Sequence, residues 1–86
     1  MKKIVNILND LRPEFNFIES ENFIEDGFLD SFDIVSLVSS VEEEYNILID
    51  ALDILPENFC NVEAIENVIK KNGGKIEWKQ YSVIKK

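Results

Sequence analysis

An amphipathic stretch at residues 31–45, SFDIVSLVSSVEEEY, constrains the fold more than any other part of the chain. At about 100° per residue, its apolar side chains gather on one side of a helix, while most of its serines and glutamates occupy the other. The predicted buried stripe consists of Ile34, Val38, Val41 and Tyr45, flanked by Val35 and Leu37. A helix with one apolar face needs other elements to cover that face, so the remaining segments must supply them.

Two other segments have the same helical period. Residues 2–12, KKIVNILNDLR, carry an apolar stripe, and Pro13 ends this helix because the residue before a proline disfavours helical backbone. Residues 62–72 follow Asn61, a good N-cap, and the next two residues are a Gly-Gly pair that stops the helix. The predicted inward positions are Ile4, Val5, Leu8 and Leu11 in the first segment, and Val62, Ile65, Val68 and Ile69 in the second.

The segments between these helices follow neither a helical nor a strand period. Residues 13–30 mix acids with apolar side chains, and we interpret them as a long loop pinned to the core by its aromatic residues. The apolar side chains are Phe15, Phe17, Ile18, Phe23, Ile24, Phe28 and Leu29. Residues 46–60, NILIDALDILPENFC, predict a loop with one short helix. The sequence therefore predicts an all-α fold, a small four-helix bundle of three main helices and one short helix, with a long first loop.

Charged side chains divide the chain into two parts. Residues 1–72 contain five basic side chains against sixteen acidic ones, whereas residues 73–86 contain four lysines against Glu77. We predict one folded domain over residues 1–72 and a basic C-terminal tail of unassigned role over 73–86. In this tail, Trp78 and Tyr81 either pack back on the helices, which we favour, or contact a partner specific to the pathway. The acidic body repels a nucleic acid backbone, so we expect no nucleic acid binding, and partners that carry basic patches.

The composition excludes several kinds of enzyme. The chain has no histidine and a single cysteine, Cys60. This removes Ser-His-Asp and Cys-His catalysis, the HExxH and thiolate zinc sites, and an intramolecular disulfide. The chain also lacks the glycine-rich phosphate-binding motifs, and the acids of EDGFLDSFD do not follow the order of a calcium-binding loop. We therefore expect no catalytic residue and no metal site.

The sequence gives no indication of export or membrane insertion. The first residues, MKKIVNILNDL, carry charges within their apolar stretch and lack a small-residue cleavage pattern. No apolar run approaches membrane-spanning length. We expect a cytoplasmic monomer with no membrane partner.

Ser31 stands at the start of the main helix and has two interpretations. A serine in such a position is usually an ordinary N-cap, but Asp30 is an equally good cap and leaves Ser31 without that task. Phe32 falls about 150° from the centre of the buried stripe, which indicates an exposed docking surface beside the hydroxyl. The positive end of a helix also stabilises a phosphate ester. Ser31 is therefore either a cap or an attachment point.

Two stretches resemble a known family. The run DGFLDSFDIVSLVSSVEEEYNI, residues 26–47, resembles the second-helix signature of acyl and peptidyl carrier proteins. That signature is an Asp-Ser dipeptide after a Gly-x-Leu turn, followed by an amphipathic helix that ends in acids and an aromatic residue. Downstream, ILPENFCNVEAIENVI, residues 54–69, resembles the third and fourth helices of the family. The resemblance covers residues 2–72, which it identifies as a carrier-protein domain.

The resemblance implies that Ser31 is the attachment site of 4′-phosphopantetheine. A phosphopantetheinyl transferase would attach this arm from coenzyme A, and its thiol would carry acyl or aminoacyl cargo as a thioester. The protein would be a non-catalytic carrier, served by a loading ligase and by downstream transferases with basic patches. The implied partner-recognition residues are Asp30, Phe32, Asp33, Ser36, Glu43 and Glu44.

Departures from the family pattern affect the expected cargo. Fatty-acid carriers usually have Leu directly after the serine, where this chain has Phe32. They commonly have an acid and a large apolar residue where it has Ser36 and Ser39. These differences favour aminoacyl or specialised-metabolite pathways over housekeeping fatty-acid synthesis. The alternative hypothesis is an acidic helical interaction module without a prosthetic group, which would tolerate Ser31→Ala.

Overall fold

Three α-helices dominate the computed structural model, which describes residues 2–75. They are α1 (Lys2–Leu11), α2 (Ser31–Tyr45) and α3 (Val62–Lys71). Three single 3₁₀ turns accompany them, at Phe17–Glu19, Ala51–Asp53 and Pro56–Asn58. There is no strand between residues 2 and 75, and the all-α prediction is confirmed. Two 3₁₀ turns replace the one short helix that we predicted between α2 and α3.

The main helix α2 has the predicted bounds but a shifted apolar face. Ile34, Leu37, Val38 and Val41 are buried. Val35 is 64% exposed, so its predicted place beside the buried stripe is wrong. On a helical wheel Val35 lies about 100° from Ile34, whereas Leu37 lies only about 60° from it on the other side. The helix therefore turns its Leu37 edge toward the core and its Val35 edge outward.

The first loop, residues 12–30, is anchored by its phenylalanines. Phe17 and Phe23 are buried and pack edge to face, with ring centroids 5.0 Å apart, and Phe15 stacks on Phe28 at 4.4 Å. Ile18, which we had placed among the anchoring residues, is 76% exposed. Successive residues of a 3₁₀ turn point about 120° apart, so burying Phe17 turns Ile18 outward. The prediction of a loop pinned by aromatic side chains is otherwise confirmed.

The last helix, α3, begins and ends as its sequence predicts. The Asn61 side chain accepts a hydrogen bond from the backbone N–H of Ala64 at 2.7 Å, and this is the expected N-cap. At the other end Gly73 has a φ of +93°, and the N–H of Gly74 donates to the carbonyl of Ile69 at 2.8 Å. A left-handed residue followed by this bond closes a helix and favours glycine.

One core joins the helices to the loops. Its buried members come from all three helices, from the first loop, and from the segment between α2 and α3. They include Ile4 and Leu8 of α1, Leu37 and Val41 of α2, Ile65 and Ile69 of α3, and Phe17, Phe23, Leu29 and Phe59 of the loops. The predicted packing of Trp78 and Tyr81 lies outside the described residues.

A buried carboxylate fastens the second loop, residues 46–61 between α2 and α3, to α3. The sequence did not indicate this contact. Asp53 accepts hydrogen bonds from Lys71 Nζ at 2.7 Å and from the Asn72 side chain at 3.3 Å. The hydrogen bond from Lys71 holds the pKa of Asp53 below its usual value, and it raises the pKa of Lys71. The loop is thereby fixed at the carboxyl end of α3.

Candidate functional site

Ser31 is the first residue of α2 and is exposed. Its hydroxyl makes no hydrogen bond to any residue from 2 to 75. Asp30 is the N-cap instead: its Oδ1 accepts from the N–H of Asp33 at 2.9 Å, and Asp33 Oδ2 accepts from the N–H of Asp30 at 3.2 Å. Because this reciprocal capping box uses two aspartates, the Ser31 Oγ is left available for another task.

Two backbone amides stand free beside this hydroxyl. The N–H groups of Ser31 and Phe32 donate to no acceptor within the described part of the chain. The first amides of a helix lack intrahelical partners and carry the positive end of its dipole, so they favour an oxyanion. A phosphate esterified to Ser31 Oγ would lie next to them. The residues present therefore fit a phosphate-linked group.

The preceding turn sets the direction in which the chain enters α2. Gly27 has a φ of +77°, a left-handed conformation that a glycine adopts at little cost. The N–H groups of Phe28 and Leu29 both donate to the carbonyl of Phe23, at 2.8 and 3.2 Å. Leu29 is buried. The Gly-Phe-Leu turn is thus tied to the core directly before the capping box.

Asp33 is bound by an arginine at the start of the first loop, directly after α1. Arg12 donates from Nε and Nη2 to Asp33 Oδ2 at 3.1 and 2.9 Å, and from Nη1 to Glu14 at 3.0 Å. The hydrogen bond from Arg12 holds the pKa of Asp33 below its usual value despite its burial. Asp33 is therefore a buried structural carboxylate and does not belong to the exposed acidic surface where we had placed it. No local pattern indicates this pair, because its members are 21 residues apart.

The outer face of α2 combines apolar and acidic side chains. Phe32 is 78% exposed, as its position on the helical wheel predicts, and the exposed Val35 lies three residues further on. Ser36 is half-buried. Of the predicted acidic residues, Asp30, Glu43 and Glu44 are exposed, and Glu44 lies 3.7 Å from Lys3. We had missed Val35 on this face, although its angle from Ile34 could have indicated it.

Other chemistry-bearing groups do not form a second site. Within residues 2–75 no group of three acidic or cysteine side chains is placed to hold a metal ion. Cys60 is half-buried, and its thiol donates to the carbonyl of Glu57 at 3.3 Å. Among the described residues, no helix is long and apolar enough to cross a membrane.

A small helical domain that presents one exposed serine at the start of a helix matches the carrier-protein domain that the sequence resembles. The chain is 37% identical over 79 residues to the acyl carrier protein of Cyanidium caldarium, a match that covers 87% of this chain and 88% of that protein. It is 46% identical over 48 residues to the acyl carrier protein of Buchnera aphidicola subsp. Baizongia pistaciae (strain Bp), covering 56% of this chain and 59% of the relative.

The chain belongs to the acyl carrier protein family. Members of this family are non-catalytic carriers, so the protein serves enzymes and is not one itself. No protein-family profile matches the chain. No solved structure matches it either.

Proposed function

We propose that this protein carries cargo as a thioester on a 4′-phosphopantetheine arm esterified to Ser31. The observation that carries the proposal is the exposed Ser31 hydroxyl, which Asp30 relieves of the capping task. When bound, the arm supplies a flexible chain with a terminal thiol. The chain's own residues provide the attachment oxygen, two free amides beside it, and a docking face for the enzymes that use the cargo.

Attachment requires one exchange of bonds at Ser31. Oγ forms a bond to the pantetheine phosphorus of coenzyme A while the P–O bond of the pyrophosphate linkage breaks and adenosine 3′,5′-bisphosphate leaves. The Oγ–H bond breaks as well, and its proton passes to the transferase or to solvent. The free N–H groups of Ser31 and Phe32 are placed to stabilise the resulting phosphodiester. No side chain of this protein has to act as a base, which agrees with the absence of histidine.

Partners would include a phosphopantetheinyl transferase, a loading ligase, and transferases with basic patches. We place their docking site on Asp30, Phe32, Val35, Ser36, Glu43 and Glu44, without Asp33. Exposed carboxylates around a small apolar centre speed and orient an encounter more than they strengthen it. That property suits a carrier, which has to leave each enzyme after delivery.

For the cargo, we infer an aminoacyl or specialised-metabolite pathway rather than housekeeping fatty-acid synthesis. Phe32 is exposed beside Ser31, and Ser36 and Ser39 lie where fatty-acid carriers commonly have an acid and a large apolar residue. Residues 1–72 would form the carrier domain of a cytoplasmic monomer, with residues 73–86 as a basic tail.

Intact mass spectrometry tests the attachment. The purified protein is incubated with coenzyme A and a promiscuous phosphopantetheinyl transferase, alongside Ser31→Ala and the control Ser39→Ala, which removes another exposed serine of α2. We expect the mass of one arm to be added to the wild type and to Ser39→Ala, and none to Ser31→Ala. If the folded wild type, checked by circular dichroism, gains no mass, the interaction module without a prosthetic group becomes the better hypothesis.

A further inference from the structure

The geometry points to Arg12 as a specificity-determining residue for docking at Ser31. We propose that Arg12 covers the Asp33 carboxylate and so weakens the attraction of basic partners to the start of α2. This inference rests on the proposed attachment at Ser31. Under this proposal, the second aspartate of the Asp-Ser-Phe-Asp run is shielded and does not act as a docking carboxylate.

The contact is built from two distant parts of the chain. Arg12 directly follows α1, where its own N–H donates to the carbonyl of Leu8 at 2.9 Å. Its guanidinium meets a single oxygen of Asp33, Oδ2, through Nε and Nη2. The same oxygen also accepts from the N–H of Asp30. Three donors on one oxygen hold the Asp33 side chain in place within the capping box.

Exposure decides which charge a partner meets. The Asp33 side chain is 8% exposed, whereas the Arg12 side chain above it is 35% exposed. A partner that approaches Ser31 therefore meets part of a guanidinium where the sequence would place a carboxylate. Arg12 also contacts the exposed Glu14 at 3.0 Å, so it offsets part of a second negative charge.

The expected effect on an encounter follows from Coulomb's law. Uncovering one carboxylate changes the local charge by one unit near a basic docking face, which corresponds to about a twofold to fivefold change in association at low salt. This faster association should lower the KM for this protein and leave kcat unchanged, because the substitution does not alter the position of Ser31 relative to its reacting phosphate. A purely structural role of Arg12 predicts the opposite sign, since a loosened helix start would slow modification.

The test uses a transferase with a basic docking face that moves phosphopantetheine from coenzyme A to this protein. It measures kcat and the KM for this protein as the acceptor, at saturating coenzyme A. Wild type is compared with Arg12→Gln and with Lys70→Gln, which makes the same change in net charge at an exposed lysine of α3. We expect Arg12→Gln to lower KM about twofold to fivefold at low salt, with the gain lost near 0.5 M salt, and Lys70→Gln to stay near the wild type. Equal or slower modification of Arg12→Gln relative to Lys70→Gln would overturn the proposal.

Two further variants separate charge from folding. The double variant Arg12→Gln/Asp33→Asn lacks both charges and should return KM to the wild-type value; a gain that persists in it would contradict the role of Asp33. Asp33→Asn alone leaves Glu14 as the acidic partner of Arg12 and removes one negative charge beside Ser31. It should raise KM at low salt but not at high salt, which keeps the test valid if Arg12→Gln does not fold. If the wild type is modified normally and Arg12→Gln is modified no faster than the wild type, this inference alone is overturned. A wild type that takes up no arm overturns the proposed function as well.

Discussion

At the residue scale, two neighbouring side chains that look interchangeable in the sequence have different tasks. Asp30 and Ser31 are both good N-caps. In the structure the Asp30 carboxylate accepts a hydrogen bond from the N–H of Asp33, and the Ser31 hydroxyl is exposed. The division matters chemically, because esterification would crowd and weaken the hydrogen bond that a capping hydroxyl oxygen accepts. Asp30 thus protects the start of α2 from the modification proposed for its neighbour.

Substitution of each residue should reveal this division. We expect Asp30→Ala to lower the free energy of unfolding by about 0.5–2 kcal/mol, the usual cost of a lost N-cap, and Ser31→Ala to change it by less than about 0.5 kcal/mol. Urea unfolding followed by circular dichroism measures both. Equal losses for the two variants would indicate that Ser31 shares the capping task.

At the element scale, α2 packs on the core with one face and presents the proposed docking surface with the other. Leu37 and Val41 are buried, while Phe32, Val35 and Glu43 are exposed on the outer side. Between these two faces lies Ser36, half-buried, where fatty-acid carriers commonly have an acid. Substitutions on the outer face should therefore leave the packing of α2 on α1 intact.

Adding the missing acid should widen the range of partners. We expect Ser36→Glu to improve loading by a fatty-acid pathway enzyme about twofold to fivefold at low salt, through KM, because it adds one negative charge to the docking face. Asn67→Glu, at an exposed position of α3, adds the same charge elsewhere and serves as the control. Loading kinetics that are identical for the two variants and the wild type would count against a role for this position.

At the scale of the whole molecule, two ion pairs between distant segments hold the loops in place. Arg12 with Asp33 joins the end of α1 to the start of α2, and Lys71 with Asp53 joins the end of α3 to the second loop. Both carboxylates are buried and both have lowered pKa values, chiefly because of the hydrogen bonds from their cationic partners. Ion pairs as well as apolar packing therefore hold the long loops of this small domain against the helices.

Acid should weaken the fold through these two groups. A carboxylate whose pKa is lower in the folded than in the unfolded state stabilises the fold above its ordinary pKa, here 3.8, and loses that contribution as the pH falls through its folded value. We expect the free energy of unfolding to fall below about pH 4–5, and to fall less steeply in Asp33→Asn/Asp53→Asn. Urea titrations between pH 3 and pH 7 measure both slopes. Parallel slopes for the wild type and the double variant would contradict the assignment.

The sequence by itself determined the three helices and the Asn61 cap of α3, and it placed Ser31 at the start of α2. The bounds of α2, the Asn61 cap, the glycines after α3 and the exposure of Phe32 all follow from interactions within a few residues or from the helical period. Such features depend little on the rest of the chain, so their patterns are readable in advance.

Only the tertiary structure decided which carboxylates are exposed on the proposed docking face. From the sequence, Asp33 was predicted to be an exposed acid of the docking face, but Arg12, 21 residues earlier, binds it. In the same way, Asp53 accepts a hydrogen bond from Lys71, 18 residues later. Val35 and Ile18 turn outward because their neighbours pack inward. Each outcome depends on how separate segments pack together, and no local pattern carries that information. Local sequence therefore determined where the candidate attachment site lies, whereas long-range packing decided the charge that surrounds it.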